Sequence, residues 1–254
     1  MNFINNFIAE LPLMLLSLPM ILLALSIHEA SHGFVAYKLG DPTARNLGRL
    51  NLNPLKHIDP IGFICMLFFR IGWAKPVPIN VRNFKKPRRD MAISAAAGPI
   101  SNLLTAILFA GLLRLEMLVI EMVYGDLPLW IIAGGAEATL PFKLLGVLAY
   151  VLYIGVVLNI SLAIFNMIPI PPFDGSRIAH VFLPPKWYFK IMQYEQYIMI
   201  VLLILLWTLP NTWLTNATGW LSDIILWIFG MGNGSDANFS LKCVLHYIMN
   251  ALAF

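Results

Sequence analysis

The sequence has 254 residues, 59% hydrophobic and 12% charged, with a mean hydropathy of +0.76 and a net charge of +4. A soluble domain carries about twice that share of charge. The apolar residues also fall in long unbroken runs, which excludes an ordinary globular core and points to lipid as the solvent. The positive balance does not indicate nucleic-acid binding. Much of it lies in Arg70, Lys75, Arg82, Lys85, Lys86, Arg88 and Arg89, between apolar segments, as the positive-inside rule expects of short membrane loops.

The first apolar span is expected from about Leu11 to Leu39, with Pro12 and Pro19 near its start. Lys38, Arg45, Arg49 and Lys56 follow it and place its end on the cytoplasmic side. Residues 1–10 carry an acid and no basic residue, so a cleaved signal peptide is not expected. The run Ile58–Trp73 is too short for a comfortable span and has basic residues on both sides. A re-entrant segment or β-hairpin fits it better, bent at Pro60, Gly62 and Gly72.

A second span is expected over Met91–Leu113, opening with small residues that let helix backbones approach closely. Glu116, Glu121, Asp126 and Glu137 against Arg114 then read as an outer loop. Leu144–Phe165 forms a third span, and a proline-rich loop runs from Asn166 to Pro185. Ile191–Leu209 forms a fourth. Trp213, Trp220 and Trp227 suggest a fifth span or a surface helix over Thr212–Phe229. Met231–Ser240 reads as a polar loop, and Leu241–Phe254 is too short to cross. The expected fold is an all-α polytopic membrane protein with four to five transmembrane helices plus the re-entrant or β-hairpin segment. It forms a single domain over 1–254, with a core at 11–190 and C-terminal helices at 191–254, and no appended soluble domain. Cys65 and Cys243 lack CxxC spacing and read as apolar fillers.

The chemistry concentrates in His28-Glu29-Ala30-Ser31-His32. Residues four apart share one helix face, so both imidazoles can address one ion. The intervening glutamate serves as general base in zinc peptidases that use this motif. The motif follows the apolar stretch Met20–Ile27, a depth at which ionisable groups are costly and tied to ions, pathways or catalysis. Catalytic zinc takes three protein ligands and leaves a fourth position open. The best third ligand is Asp174, in Asn166-Met-Ile-Pro-Ile-Pro-Pro-Phe-Asp174-Gly175 after the third span. The prolines favour an extended approach, and Gly175 allows a sharp turn after the acid. An ordinary Asp-Gly surface turn is the competing reading.

With these motifs in order, and with Gly98-Pro99-Ile100-Ser101-Asn102 between them, the chain resembles the site-2 protease family of intramembrane zinc metalloproteases. The likeness covers roughly the first 180 residues. It implies one zinc ion held by His28, His32 and Asp174, Glu29 as the base, and Asn166 positioning the substrate carbonyl. It implies transmembrane protein substrates in a prokaryotic inner membrane, with the site near the cytoplasmic side. Larger family members insert a soluble peptide-binding domain that this sequence lacks. The lipid bilayer is the expected partner, and nucleic acid is not.

Other polar residues carry less. His57 reads as structural or solvated, and His180 and His246 lack a partner at metal spacing. Asn102 reads as a bond between helices rather than a catalytic group. Asn216-Ala-Thr matches a glycosylation acceptor by chance composition. An ion-site transporter would keep function on Glu29→Gln and would show polar residues along several spans. An inactive scaffold would not need the intact His28, Glu29, His32 and Asp174 set. A lipid-directed zinc hydrolase would keep the same metal site, and only the family resemblance favours peptide bonds over it.

Overall fold

The computed structural model describes residues 2–69, 72–124, 140–208 and 212–231. Among these the secondary structure is helical and no strand occurs; a single bridge joins Ile58 and Ala74. The helices are α1 (Asn2–Lys38), α2 (Thr43–Asn46), α3 (Pro60–Phe69), α4 (Pro87–Tyr124) and α5 (Leu140–Asn166). They continue with α6 (Asp174–Ala179), α7 (Pro185–Met192), α8 (Glu195–Thr208) and α9 (Thr212–Ile228).

Three helices contain stretches long and apolar enough to cross a membrane: Leu11–Lys38, Pro87–Val123 and Lys143–Asn166. These match the first three expected spans. The second runs past its expected end at Leu113. Arg114 pairs with Glu121 at 3.4 Å and Glu116 is buried, so the charges that suggested a loop are carried on the helix. The 14 residues of α8 rise only about 21 Å, short of a hydrocarbon core of about 30 Å. The expected tail segments, from Gly232 to Phe254, and the acids Asp126 and Glu137 lie outside the described residues.

The β-hairpin alternative for Ile58–Trp73 is corrected: its centre is a ten-residue helix, α3. Asp59 caps it, its Oδ1 accepting the Gly62 N–H at 2.9 Å, and Pro60 takes the first position, where a missing N–H costs nothing. The run is continuously apolar rather than alternating, so it has no face-to-face period that would favour strands. Its two glycines serve close packing. A Cβ on Gly62 would stand 2.3 Å from the Trp73 carbonyl oxygen, and one on Gly72 would stand 2.6 Å from that of Gly62.

Helix boundaries follow local chemistry. Gly40, at φ +113°, ends α1, and the Asp41 N–H returns to the Ala36 carbonyl at 2.9 Å. Pro87 opens α4, and Asp90 accepts the Lys86 N–H at 2.9 Å.

The chain divides into two compact units. One comprises residues 1–21, 105–158 and 219–254; its buried side chains include Phe109, Leu113, Met117 and Val156. A Cβ on Gly155 would stand 2.8 Å from the Phe109 ring there. The other comprises residues 22–104 and 159–218 and holds every residue of the site described next.

Candidate metal centre

His28 and His32 lie one helical turn apart on α1, both buried, with ring centroids 4.6 Å apart and planes at 87°. Asp174 begins α6 and is also buried. Its Oδ2 lies 3.0 Å from His28 Nε2 and 3.1 Å from His32 Nε2. One ligand atom from each residue falls within 4.8 Å of the others. The structure thus brings together the three residues expected as ligands, from positions up to 146 residues apart.

The opposite ring nitrogens show what this arrangement suits. His32 Nδ1 lies 2.8 Å from the Ser94 carbonyl, which can only accept, so that nitrogen carries a proton. His28 Nδ1 lies 2.9 Å from Asn102 Oδ1. With both Nδ1 atoms protonated, the neutral rings turn Nε2 lone pairs towards a carboxylate oxygen. Lone pairs facing lone pairs repel, and a cation between them resolves the conflict. Tetrahedral zinc with bonds of about 2.0–2.1 Å sets its ligand atoms about 3.3 Å apart, close to the 3.0 and 3.1 Å seen here. Two imidazoles and one carboxylate also form a donor set typical of catalytic zinc.

The neighbourhood explains the Gly98–Asn102 motif. Gly98, on α4, faces the imidazoles: a Cβ there would stand 2.5 Å from His32 Cε1 and Nε2 and 2.6 Å from His28 Cε1. Asn102, one turn later and fully buried, makes the expected bond between helices, and its partner is His28. Such outer-shell bonds fix tautomer and ring orientation. Ser94 adds a second tie, its hydroxyl donating to the His32 carbonyl at 3.0 Å.

Gly175 serves a purpose other than the expected sharp turn. It is helical, within α6, and a Cβ there would stand 2.3 Å from the Met167 carbonyl oxygen and 2.5 Å from that of Ile168. The missing side chain lets the Asp174 turn lie directly on the start of the preceding loop. Phe173 steadies that loop by packing edge-on against Phe165, with centroids 4.3 Å apart.

Glu29 is half-buried, and its Oε2 accepts the Val77 N–H at 2.8 Å. Sequence reasoning gave no sign of this partner. Asn166 ends α5 with its amide donating to its own helix, at the Leu162 carbonyl, 3.0 Å away. His57 is buried, and its Nε2 bonds the Asn51 carbonyl at 2.8 Å, the structural role expected of it. His180 stands outside the cluster; burial, and secondarily the charge of Arg88, lower its pKa. His246 and Cys243 lie outside the described residues.

Residues 16–208 match the sequence profile of Peptidase family M50. The chain is 41% identical over 185 residues to YwhC of Bacillus subtilis, named as a candidate zinc metalloprotease, covering 73% of this chain and 77% of that protein. It is 26% identical to Rip2 of Mycolicibacterium smegmatis, named in the same way, over 80% of this chain and 71% of that one. To Rip2 of Mycobacterium tuberculosis it is 25% identical, over 84% and 73% respectively. No solved structure matches the chain.

Proposed function

Because the chain belongs to Peptidase family M50, the site-2 protease family of zinc metalloproteases, we propose that it hydrolyses peptide bonds in or near transmembrane segments of membrane-protein substrates. The observation that carries this reading is the meeting of His28, His32 and Asp174 at one buried point, beside a glutamate on the same helical turn. His28, His32 and Asp174 would hold one zinc ion through the two Nε2 atoms and a carboxylate oxygen. When bound, zinc acidifies water and polarises a carbonyl oxygen.

The protein's own residues supply the remaining functions. Glu29 sits between the two histidines in sequence and has one oxygen engaged by Val77. The other oxygen is left to take a proton from the attacking water and return it to the leaving amine. Asn102 and the Ser94 carbonyl hold the imidazoles in the tautomer that leaves Nε2 free. Asn166, at the start of the loop leading to Asp174, would turn from its helix carbonyl to meet the substrate carbonyl. A helical substrate hides its carbonyls in its own hydrogen bonds, so it must unwind locally before it is cut.

In this reading residues 1–254 act as one membrane-embedded module. The three long apolar helices cross the bilayer, α9 adds a further crossing, and the chain around α3 re-enters from one side. The Lys and Arg residues between spans favour a position for the centre near the cytoplasmic face of a prokaryotic inner membrane. Transmembrane proteins are its substrates and lipid its surroundings.

The test is cleavage of a panel of single-span membrane proteins by the purified chain, wild type beside Glu29→Gln, with bound zinc quantified in both. Cleavage by the wild type, lost in Glu29→Gln with zinc retained, is the expected result. A wild type that holds no zinc, or a Glu29→Gln protein that cuts as well as the wild type, would overturn the reading.

A further inference from the structure

Glu29 is held by a segment that the metal ligands do not explain. Residues 74–80 lie against α1 and are fastened at both ends. At the first end Ala74 bridges Ile58, the Lys75 N–H donates to the His57 carbonyl at 2.8 Å, and Arg49 Nη2 donates to the Lys75 carbonyl at 2.7 Å. At the other end the Asn80 N–H donates to Asp41 Oδ2 at 2.7 Å, and Asn83 Nδ2 donates to Asp41 Oδ1 at 2.7 Å. Asp41 is fully buried just past the end of α1 and also accepts from the Thr43 N–H and hydroxyl. Its carboxylate therefore ties three pieces of chain together.

Between these ties, the Val77 N–H reaches Glu29 Oε2. Pro76 and Pro78 flank Val77 and have no N–H, so the Val77 amide is the one main-chain donor of those three residues. A second observation fixes how closely this segment approaches α1. Gly33 lies one turn beyond Glu29, and a Cβ there would stand 2.9 Å from Val77 Cγ1 and 2.7 Å from Leu50 Cδ2. The buried Val77 side chain occupies the space that a larger residue at 33 would take.

We propose that residues 74–80 form a strap that fixes the Glu29 carboxylate, with the Val77 main-chain N–H as the positioning donor and Asp41 as the strap's anchor. The proposal rests on the reading of Glu29 as the base. A glutamate has three rotatable side-chain bonds, and a proton acceptor must hold its place to within about 0.5 Å to work. A main-chain donor pinned at both ends supplies that constraint without a rotamer of its own, and it leaves Glu29 Oε1 for the proton. Val77 and Asp41 lie outside the metal-binding set of His28, His32 and Asp174 and act through Glu29.

Amide hydrogen exchange on the whole zinc-loaded chain in detergent reads the strap without turnover. Glu29→Ala removes the acceptor and Asp41→Ala frees the anchor. Each is expected to speed exchange at Val77 by about tenfold or more, as a main-chain bond that opens locally does. Unchanged exchange at Val77 in Glu29→Ala would overturn the proposal. In turnover, Asp41→Ala is expected to lower kcat by about 10- to 100-fold, the scale of a 1 Å misplacement, with KM and zinc content unchanged. Asp41→Asn, which keeps one oxygen acceptor but turns an NH2 donor towards the other side, is expected to recover only part of that loss. A kcat for folded, zinc-loaded Asp41→Ala equal to wild type would overturn it, as would a loss matched by lost zinc. If the wild type cuts no membrane substrate while Glu29→Ala still releases the Val77 amide, the protease reading fails and the strap stands.

Discussion

Replacing Gly98 with alanine tests the metal centre without touching a ligand. The new methyl carbon would lie 2.5 Å from two atoms of the His32 ring and 2.6 Å from His28 Cε1. Carbon atoms rest about 3.5–4.0 Å apart, so each ring, or the α4 backbone, must retreat by roughly 1 Å. Metal ligands hold their distances to within about 0.2 Å, and the required movement is several times that tolerance. Zinc affinity should fall by about 100-fold or more, equivalent to roughly 2.7 kcal/mol at about 1.36 kcal/mol per decade. Helix propensity predicts the opposite sign, because alanine is about 1 kcal/mol better than glycine within a helix. Competition with a chelator of known affinity measures the loss, and Ile100→Ala, at an exposed position on the same helix, controls for a general effect on α4. Wild-type affinity in Gly98→Ala would refute the packing of α4 on the two imidazoles and the argument built on it.

Three further substitutions probe the surroundings. Asn102→Leu removes the acceptor at His28 Nδ1 and should weaken zinc by about 10- to 100-fold in the same competition assay; unchanged affinity would show that His28 needs no outer partner. Gly175→Ala would push the Asp174 turn off the Met167 and Ile168 carbonyls, so zinc content and the thermal midpoint should both drop, and retention of both would disprove the close approach. Asp41→Asn addresses pH. Burial alone would raise the Asp41 pKa, but bonds from Thr43, Asn83 and Asn80 hold it below the ordinary carboxylate value. A depressed folded pKa contributes stability above the unfolded value of about 3.9 that is lost as pH falls through the folded value. The wild type should therefore melt above Asp41→Asn at pH 7, with the gap closing below about pH 4; a gap that widens there would contradict the assignment.

Much of the centre could be read from the sequence because the helix period carries it. His28 and His32 must share a face once α1 is a helix, and a two-histidine half-site requires a third ligand that the loop before Gly175 can supply. The three long apolar runs were equally readable, since length and hydropathy alone decide them. Where α4 ends was not. Arg114, Glu116 and Glu121 interrupt the apolar run, and composition reads them as a loop, yet an ion pair and burial keep them on the helix. The strap was also hidden. Val77 acts through its main-chain N–H, which every residue but proline carries, so nothing about its side chain marks it.

The glycines show most clearly what a linear reading misses. Gly62, Gly72 and Gly175 suggest bends and turns in sequence, because left-handed backbone is the familiar reason for the residue. Among the described residues, positive φ occurs at Gly40, Gly48 and Gly230. The glycines nearest the site, Gly33, Gly98 and Gly175, have none and are instead places where a Cβ would strike a neighbour within 3 Å. Each of these neighbours belongs to another segment: Val77 against Gly33, the two imidazoles against Gly98, the loop carbonyls against Gly175. Helical periodicity says which residues share a face, but it carries no information on how near the facing chain comes. That distance decides whether the two histidines can meet Asp174 and whether the strap can reach Glu29. The small residues that set it are therefore as much a part of the metal centre as its ligands.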